Sequence, residues 1–322
     1  MQALYPLLLQ PALHVKVWGG RKLADVLGKS LPTAEPYGES WELHDSVTVA
    51  NGPLAGRTIA ELVALYGENL IGPGGNAMHG FPLLAKFLDA RDWLSVQVHP
   101  NDAQAQAYGD GERGKTEAWY VVEAEPGASL VIGVTPGMTR EAVADAVASN
   151  TLEQALVYAQ VQAGDVLLIS AGTIHALGPG LLIYEIQQSS DLTYRFYDWG
   201  RLGLDGSPRE LHIEKSLAVS NFDSLPQIVH TAGHEDSIVP LVSSPYFVTE
   251  LLQLRAGDIL RFGRSERSGF DALTCIDGEA TISSGDDALT LAHGQTALIP
   301  AAVTDYSLHG RARILRSIQP RG

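Results

Sequence analysis

The feature that most restricts this chain is a succession of short apolar runs, each closed by a turn rich in glycine, proline or polar residues. From Phe81 onward FPLLAKFLDA, WLSVQVHP, TEAWYVVEAEPG, SLVIGV, AGDVLLISAGTIHAL and GLLIYEIQQSSDLTYRFYDW follow one another, and a last all-β stretch extends from about Tyr246 to the end. Runs this short suit strands rather than helices, and many of them with glycine-bearing turns predict a jelly roll or sandwich. ESWELHD (39–45) reads as one more short strand, with Trp41 and Leu43 on one face and Glu42 and His44 on the other.

Two segments break the strand pattern. Residues 58–70 have helical spacing, with Thr58 as N-cap, Glu61 at the capping-box position and Leu62, Leu65 and Tyr66 forming a stripe. Residues 139–158 have helical spacing behind a Thr139 cap. NDAQAQAYGDGERG (101–114) is a polar connection with room for one helical turn, and 201–236 reads as a polar loop.

AGDVLLISAGTIHAL (163–177) and HGQTALIPAAVTDYSL (293–308) share a frame. Gly164 matches Gly294, Ser170 matches Pro300, and His175 matches Asp305. The echo predicts two copies of one β-unit, the second without its histidine.

Charge and composition narrow the function. With 322 residues, 45% of them hydrophobic, the chain can bury a sizeable core. A net charge of −15 repels nucleic acid, and no basic run offsets it. The same charge repels a phosphate ester, so such a substrate needs a local cluster of cations. Cys275 is the only cysteine, so no intrachain disulfide is expected. The opening MQALYPLLLQPALHVKVWGG lacks a basic start and a small-residue cleavage site, and Gln10 and Pro11 interrupt its apolar patch. A soluble cytoplasmic protein, free of membrane, is the expectation.

Three side chains carry the chemistry. Gln97 and His99 stand two apart in a strand-like run and share one side of a sheet, as do Lys115 and Glu117; His175 ends an apolar strand after a glycine turn. Two imidazoles and a carboxylate, with an amide oxygen nearby, suit Zn²⁺, with Mn²⁺, Fe²⁺ and Co²⁺ as alternatives.

These residues sit in a frame that resembles the two cupin motifs, GDVLLISAGTIH fitting the second from Gly164 to His175 with Ser170 in place of a proline. ESWELHD, LSVQVHPND, GKTEAWY and AGTIHALGPGLLIYEIQQSSDLTYRFYDWGR together resemble the type I phosphomannose isomerases in their compact bacterial form. The resemblance implies a mainly β fold of two cupin-like jelly-roll β-barrels with helical insertions. Residues 1–235 would form the catalytic unit and 236–322 a degenerate one without a metal site. It implies one Zn²⁺ per chain held by His99, Glu117 and His175, with Gln97 as a further ligand. It implies Arg195 and Lys115 as catalytic residues, and Ser95, Arg201 and Lys86 as contacts to a sugar phosphate. Glu185 is expected to back a histidine ligand, and Trp41, Trp119 and Tyr197 to be core or pocket walls. The implied enzyme works as a monomer or homodimer and interconverts mannose 6-phosphate and fructose 6-phosphate. A cupin dioxygenase or a non-catalytic sugar-phosphate binder would share the fold, but a regulator would need a DNA-binding element, and no helix-turn-helix pattern or basic patch is present.

Overall fold

Alternation along four neighbouring strands sorts the side chains into two layers. In the computed structural model, which describes residues 3–73, 79–110, 113–231, 233–263 and 269–320, the strand Leu181–Gln188 sends Leu182, Tyr184 and Ile186 to one side. Leu181 and Ile183 go to the other. The strands Glu117–Ala124 and Leu83–Ala90 flank it antiparallel, and Asp165–Ile169 pairs with the first of them. All three alternate in the same way: Ala118, Tyr120, Ala85, Phe87 and Val166 share the first side, while Trp119, Val121, Leu88, Ala90 and Leu167 share the second.

These four strands are the middle of a seven-stranded sheet that runs Val229–His230, Asp165–Ile169, Glu117–Ala124, Leu181–Gln188, Leu83–Ala90, Tyr37–Leu43, Ala12–Gly20. Over its second side lie a three-stranded sheet (Ala176–Leu177, Ser129–Val134, Leu156–Gln160) and the pair Val96–Val98 with Tyr194–Tyr197. One isolated bridge, Gln97 to His175, joins those two pieces. Against the first side sits a nine-stranded sheet built mostly from residues beyond 237, and Phe247, Leu251, Phe270, Leu298 and Leu315 complete the shared core there.

The sheets stay open, so the expected β-barrels are jelly-roll sandwiches. Val229–His230 and Ala12–Gly20 end the central sheet as edges instead of closing on each other. The expected division at 235/236 is crossed by the chain's first strand. Leu7–Gln10 pairs antiparallel with Thr296–Ile299, and Thr48–Val49 extends the same sheet. Leu7 and Leu9 drive this exchange, because both are buried in the core between the two large sheets.

The helical segments are shorter than their spacing suggests. Thr58 caps Ile59–Tyr66 with the complete capping box to Glu61, and Gly67 at φ +50° breaks it before Glu68–Ile71. Its buried face is Ile59, Leu62 and Val63, whereas Leu65 of the expected stripe is 50% exposed. The second segment is two helices, Arg140–Ala148 and Leu152–Ala155, separated at Asn150 with φ +55°. Strand pairing then wins from Leu156, so the end of the expected helix belongs to Leu156–Gln160. The 101–114 connection holds the helix Asp102–Tyr108, and the expected loop 201–236 holds the helix Ile213–Val219 and the strand Val229–His230. A bulge in Tyr37–Leu43 between Trp41 and Leu43 undoes simple alternation, and the Trp41 ring packs 4.6 Å from that of His44.

Candidate functional site

Glu117 opens the strand Glu117–Ala124 and its side chain is fully buried. His99 lies just past Val96–Val98 and His175 just before Ala176–Leu177. Reciprocal main-chain bonds, Gln97 N to His175 O at 3.0 Å and His175 N to Gln97 O at 2.9 Å, hold those two segments together. The outcome is one ligand atom each from His99, Glu117 and His175, all within 4.8 Å of one another.

The protonation pattern suits a cation. His99 Nδ1 lies 2.7 Å from Leu192 O, and His175 Nδ1 lies 2.9 Å from Thr173 O. A carbonyl only accepts, so each Nδ1 donates and each Nε2 keeps a lone pair. His99 Nε2 stands 3.5 Å from Glu117 Oε2, and His175 Nε2 stands 3.4 Å from Glu117 Oε1. Among the described residues Oε1 is buried with no hydrogen-bond partner. Burial, with Lys115 nearby, keeps His99 well below the usual imidazole value and lowers His175 to about 4, so both are neutral, as ligands must be. Burial and the neighbouring Glu185 carboxylate push Glu117 up to about 7 against the pull of Lys115. Two neutral imidazoles and an under-satisfied carboxylate fit a divalent ion. Gln97 flanks them: its Nε2 is 3.2 Å from His175 Nε2, and its Oε1 accepts from Ser95 at 3.2 Å.

A ladder of alternating charge continues from the ligands. Lys115 Nζ is 2.7 Å from Glu117 Oε2, 3.1 Å from His99 Nε2 and 3.7 Å from Glu185 Oε1. Lys86 Nζ is 3.2 Å from Glu185 Oε1 and 3.8 Å from Glu39 Oε2, and Lys16 meets Glu39 Oε1 at 3.1 Å. Register explains this order, since Lys86 and Trp119 both pair with Glu185 across the sheet. Burial alone would raise Glu185, but Lys86 and Lys115 outweigh it and hold the carboxyl below its usual value. Glu185 therefore backs the two lysines and accepts the Trp119 indole N–H at 2.8 Å. It does not back a histidine, because both imidazole N–H groups go to main-chain carbonyls.

Between the central sheet and the small layers lies a polar cavity of about 240 Å³. Ser95, Gln97, His175, Lys86, Lys115, Glu185 and Arg195 all line it, as does Trp119. Arg201 does not. Its Nη2 meets Asp198 at 2.8 Å, its Nη1 donates to Trp93 O, and Asp92 stands 3.6 Å away. The wall position belongs instead to Arg209, which the sequence motifs do not single out. Lys86 reaches the cavity, but Glu185 and Glu39 already match its charge. Trp41 is set back, donating to Glu39 at 2.7 Å, and Tyr197 turns away to Glu153 at 2.6 Å. Lys16, Asp191 and Thr193 also line the cavity without having been foreseen. Asp191 and Thr193 precede Arg195 by four and two residues, a period that could have found them.

Known proteins give an independent line of evidence. The family model "Phosphomannose isomerase type I, catalytic domain" matches residues 7–140, and "Mannose-6-phosphate isomerase, cupin domain" matches residues 240–319. A mannose-6-phosphate isomerase of Streptococcus mutans is 35% identical over 97% of this chain and 98% of its own. Mannose-6-phosphate isomerase ManA of Bacillus subtilis is 34% identical over the same shares. The crystal structure of mannose 6-phosphate isomerase from Bacillus subtilis superposes with a TM-score of 0.87 at 31% identity, over 97% of this chain and 99% of that one.

Proposed function

The chain belongs to the type I phosphomannose isomerases, and we propose that its cavity converts mannose 6-phosphate to fructose 6-phosphate and back through a cis-enediol, with Zn²⁺ as the resident metal. The observation that carries this reading is the meeting of His99, Glu117 and His175, the last of them in the wall of a polar cavity that also gathers Arg195 and Arg209. When bound, the ion supplies Lewis-acid stabilisation of negative charge on the sugar oxygens, an effect of several kcal/mol.

The protein's own residues supply the rest. His99, Glu117 and His175 would hold the metal, and Gln97, whose Nε2 lies 3.2 Å from His175 Nε2, flanks them. Arg195 and Arg209 face the cavity and answer the phosphate's roughly double negative charge. Burial and the nearby Arg209 lower the Arg195 value, a mutual repulsion that a bound anion relieves. Ser95 offers a hydroxyl to the substrate from the opposite layer. Proton transfer between C1 and C2 needs a group within hydrogen-bond reach. Lys115 is one such group on the wall, and Asp191 is a wall carboxylate outside the Lys86–Glu185–Glu39 ladder. Leu88, Leu94, Trp119 and Leu177 supply the apolar part of the wall. Among the described residues no helix is long and apolar enough to cross a membrane. The single buried Cys275 suits the reducing cytoplasm, where we place the enzyme.

A coupled assay of mannose 6-phosphate against glucose 6-phosphate, with metal analysis of the same sample, tests the reading. Turnover of the mannose ester should vanish on chelation and return with Zn²⁺. Undiminished turnover in metal-free protein ends the metal assignment, and oxygen uptake without isomerisation moves the chain to the cupin dioxygenases.

A further inference from the structure

One acidic residue sits between Arg209 of the cavity wall and Arg201 behind it, and the mechanism above leaves it unused. Asp198 is 6% exposed. Its Oδ1 accepts from Arg201 Nε at 3.1 Å, from Arg201 Nη2 at 2.8 Å and from Arg209 Nη2. Its Oδ2 accepts from Arg209 Nε at 2.6 Å. Arg201 is itself anchored at its far end by the Trp93 carbonyl. Arg209 thus grips a carboxylate that cannot swing, and among the described residues its Nη1 has no partner.

The backbone beside Asp198 is held in a costly state. Trp199 has φ +59°, a left-handed conformation that a bulky aromatic residue seldom takes. Its indole N–H donates to Leu94 O at 2.7 Å, and its ring packs 4.9 Å from that of Trp93. Leu94 and Ser95 continue that segment into the cavity wall. The strained residue therefore fixes Asp198 relative to the wall that Arg209 shares.

We propose that Asp198 is a positioning residue: with Arg201 as a fixed post, it orients the Arg209 guanidinium in the cavity wall to receive a phosphate monoester. The proposal rests on the reading that this cavity takes a phosphorylated sugar. Charge and geometry make opposite forecasts. Removing a carboxylate from a group of arginines should tighten anion binding if charge alone mattered. It should weaken binding if Asp198 sets the angle of the fork that meets the phosphate.

The test uses the full-length, metal-loaded protein and the variants Asp198→Asn and Asp198→Glu. KM and kcat are measured with mannose 6-phosphate, and binding of inorganic phosphate is measured by calorimetry. For Asp198→Asn, the KM and the phosphate Kd should both rise about ten-fold, the scale of one lost charge-assisted hydrogen bond. Its kcat and metal content should stay near wild type, and Asp198→Glu, which keeps the charge, should recover part of the affinity. Phosphate binding as tight as wild type or tighter in Asp198→Asn overturns the proposal, as does failure of both variants to fold, which would make Asp198 structural. The two readings fail separately. A wild type that binds phosphate without isomerising the sugar ester removes the function but not the positioning role, whereas an active wild type with an unchanged Asp198→Asn KM removes only the latter.

Discussion

Segments 164–177 and 294–308 begin alike and end in opposite interiors. Each starts at a left-handed glycine, φ +91° at Gly164 and +75° at Gly294, and runs into a strand, Asp165–Ile169 or Thr296–Ile299, that stops at a turn. The first copy then buries His175 against Glu117, and the second leaves Asp305 exposed at the head of Asp305–Ile318. Around the first the sandwich keeps a charged cavity. The C-terminal sheet, which holds the second, is filled with Leu273, Cys275, Ile282, Leu308 and Ile314, all fully buried. Filling with hydrocarbon stabilises at about 25 cal/mol per Å² of apolar surface removed from water. A charged cavity forgoes that gain and needs each ion matched by another, as the Lys–Glu ladder does. One scaffold thus divides its labour: one unit holds the fold together, and the other is free to bind.

The comparison breaks most visibly if the two units are interchangeable. His175→Ala should lose metal and lower kcat roughly a thousand-fold or more, whereas Asp305→Ala should leave both at wild type, as paired activity and metal measurements would reveal. Next in size, Leu273→Ala should destabilise the protein by about 2–5 kcal/mol in urea melts while leaving KM and metal content alone. If KM moves with it, the filled unit shapes the cavity and the division of labour is wrong.

A smaller effect concerns acid. Burial would raise Glu39, but Lys86 and Lys16 outweigh it and hold the carboxyl down to about 2 from its ordinary 4.5. A depressed carboxyl contributes stability that is complete above its unfolded value and is lost as pH falls toward its folded one. The wild type should therefore weaken between about pH 4.5 and 2, and the slope of stability against pH in that window should flatten in Glu39→Gln, even though the variant is weaker at neutral pH. The smallest expectation is a null. Asp305→His should leave metal content at one ion per chain, because that position is exposed and the sheet behind it is apolar. A second bound ion would mean that the C-terminal unit is a dormant site.

What the sequence disclosed was the local and the periodic. Glu117 and Lys115, Gln97 and His99, and the Gly164–His175 frame all rest on strand alternation or on a turn, and the Thr58–Glu61 box is a short-range signal. Features that needed distant partners were hidden. Leu65 fits a helical stripe, but among the described residues no neighbouring element covers it, and Leu156–Gln160 looks helical until Ser129–Val134 offers a ladder. Arg201 sits in the recognisable motif and Arg209 beyond it, yet only the path of the loop around Asp198 decides which guanidinium reaches the wall. The demand for local cations did follow from the −15 charge; their identity did not.

The pairing of Leu7–Gln10 with Thr296–Ile299 bears on how the molecule is made. On the ribosome Leu7–Gln10 emerges long before Thr296–Ile299 is translated. Until then Leu7 and Leu9 are greasy and the strand's edge is bare, so the newborn chain carries a sticky segment while it waits for its partner. This pairing closes only once Thr296–Ile299 has cleared the ribosome, and chaperone demand should track the time between the synthesis of the two strands.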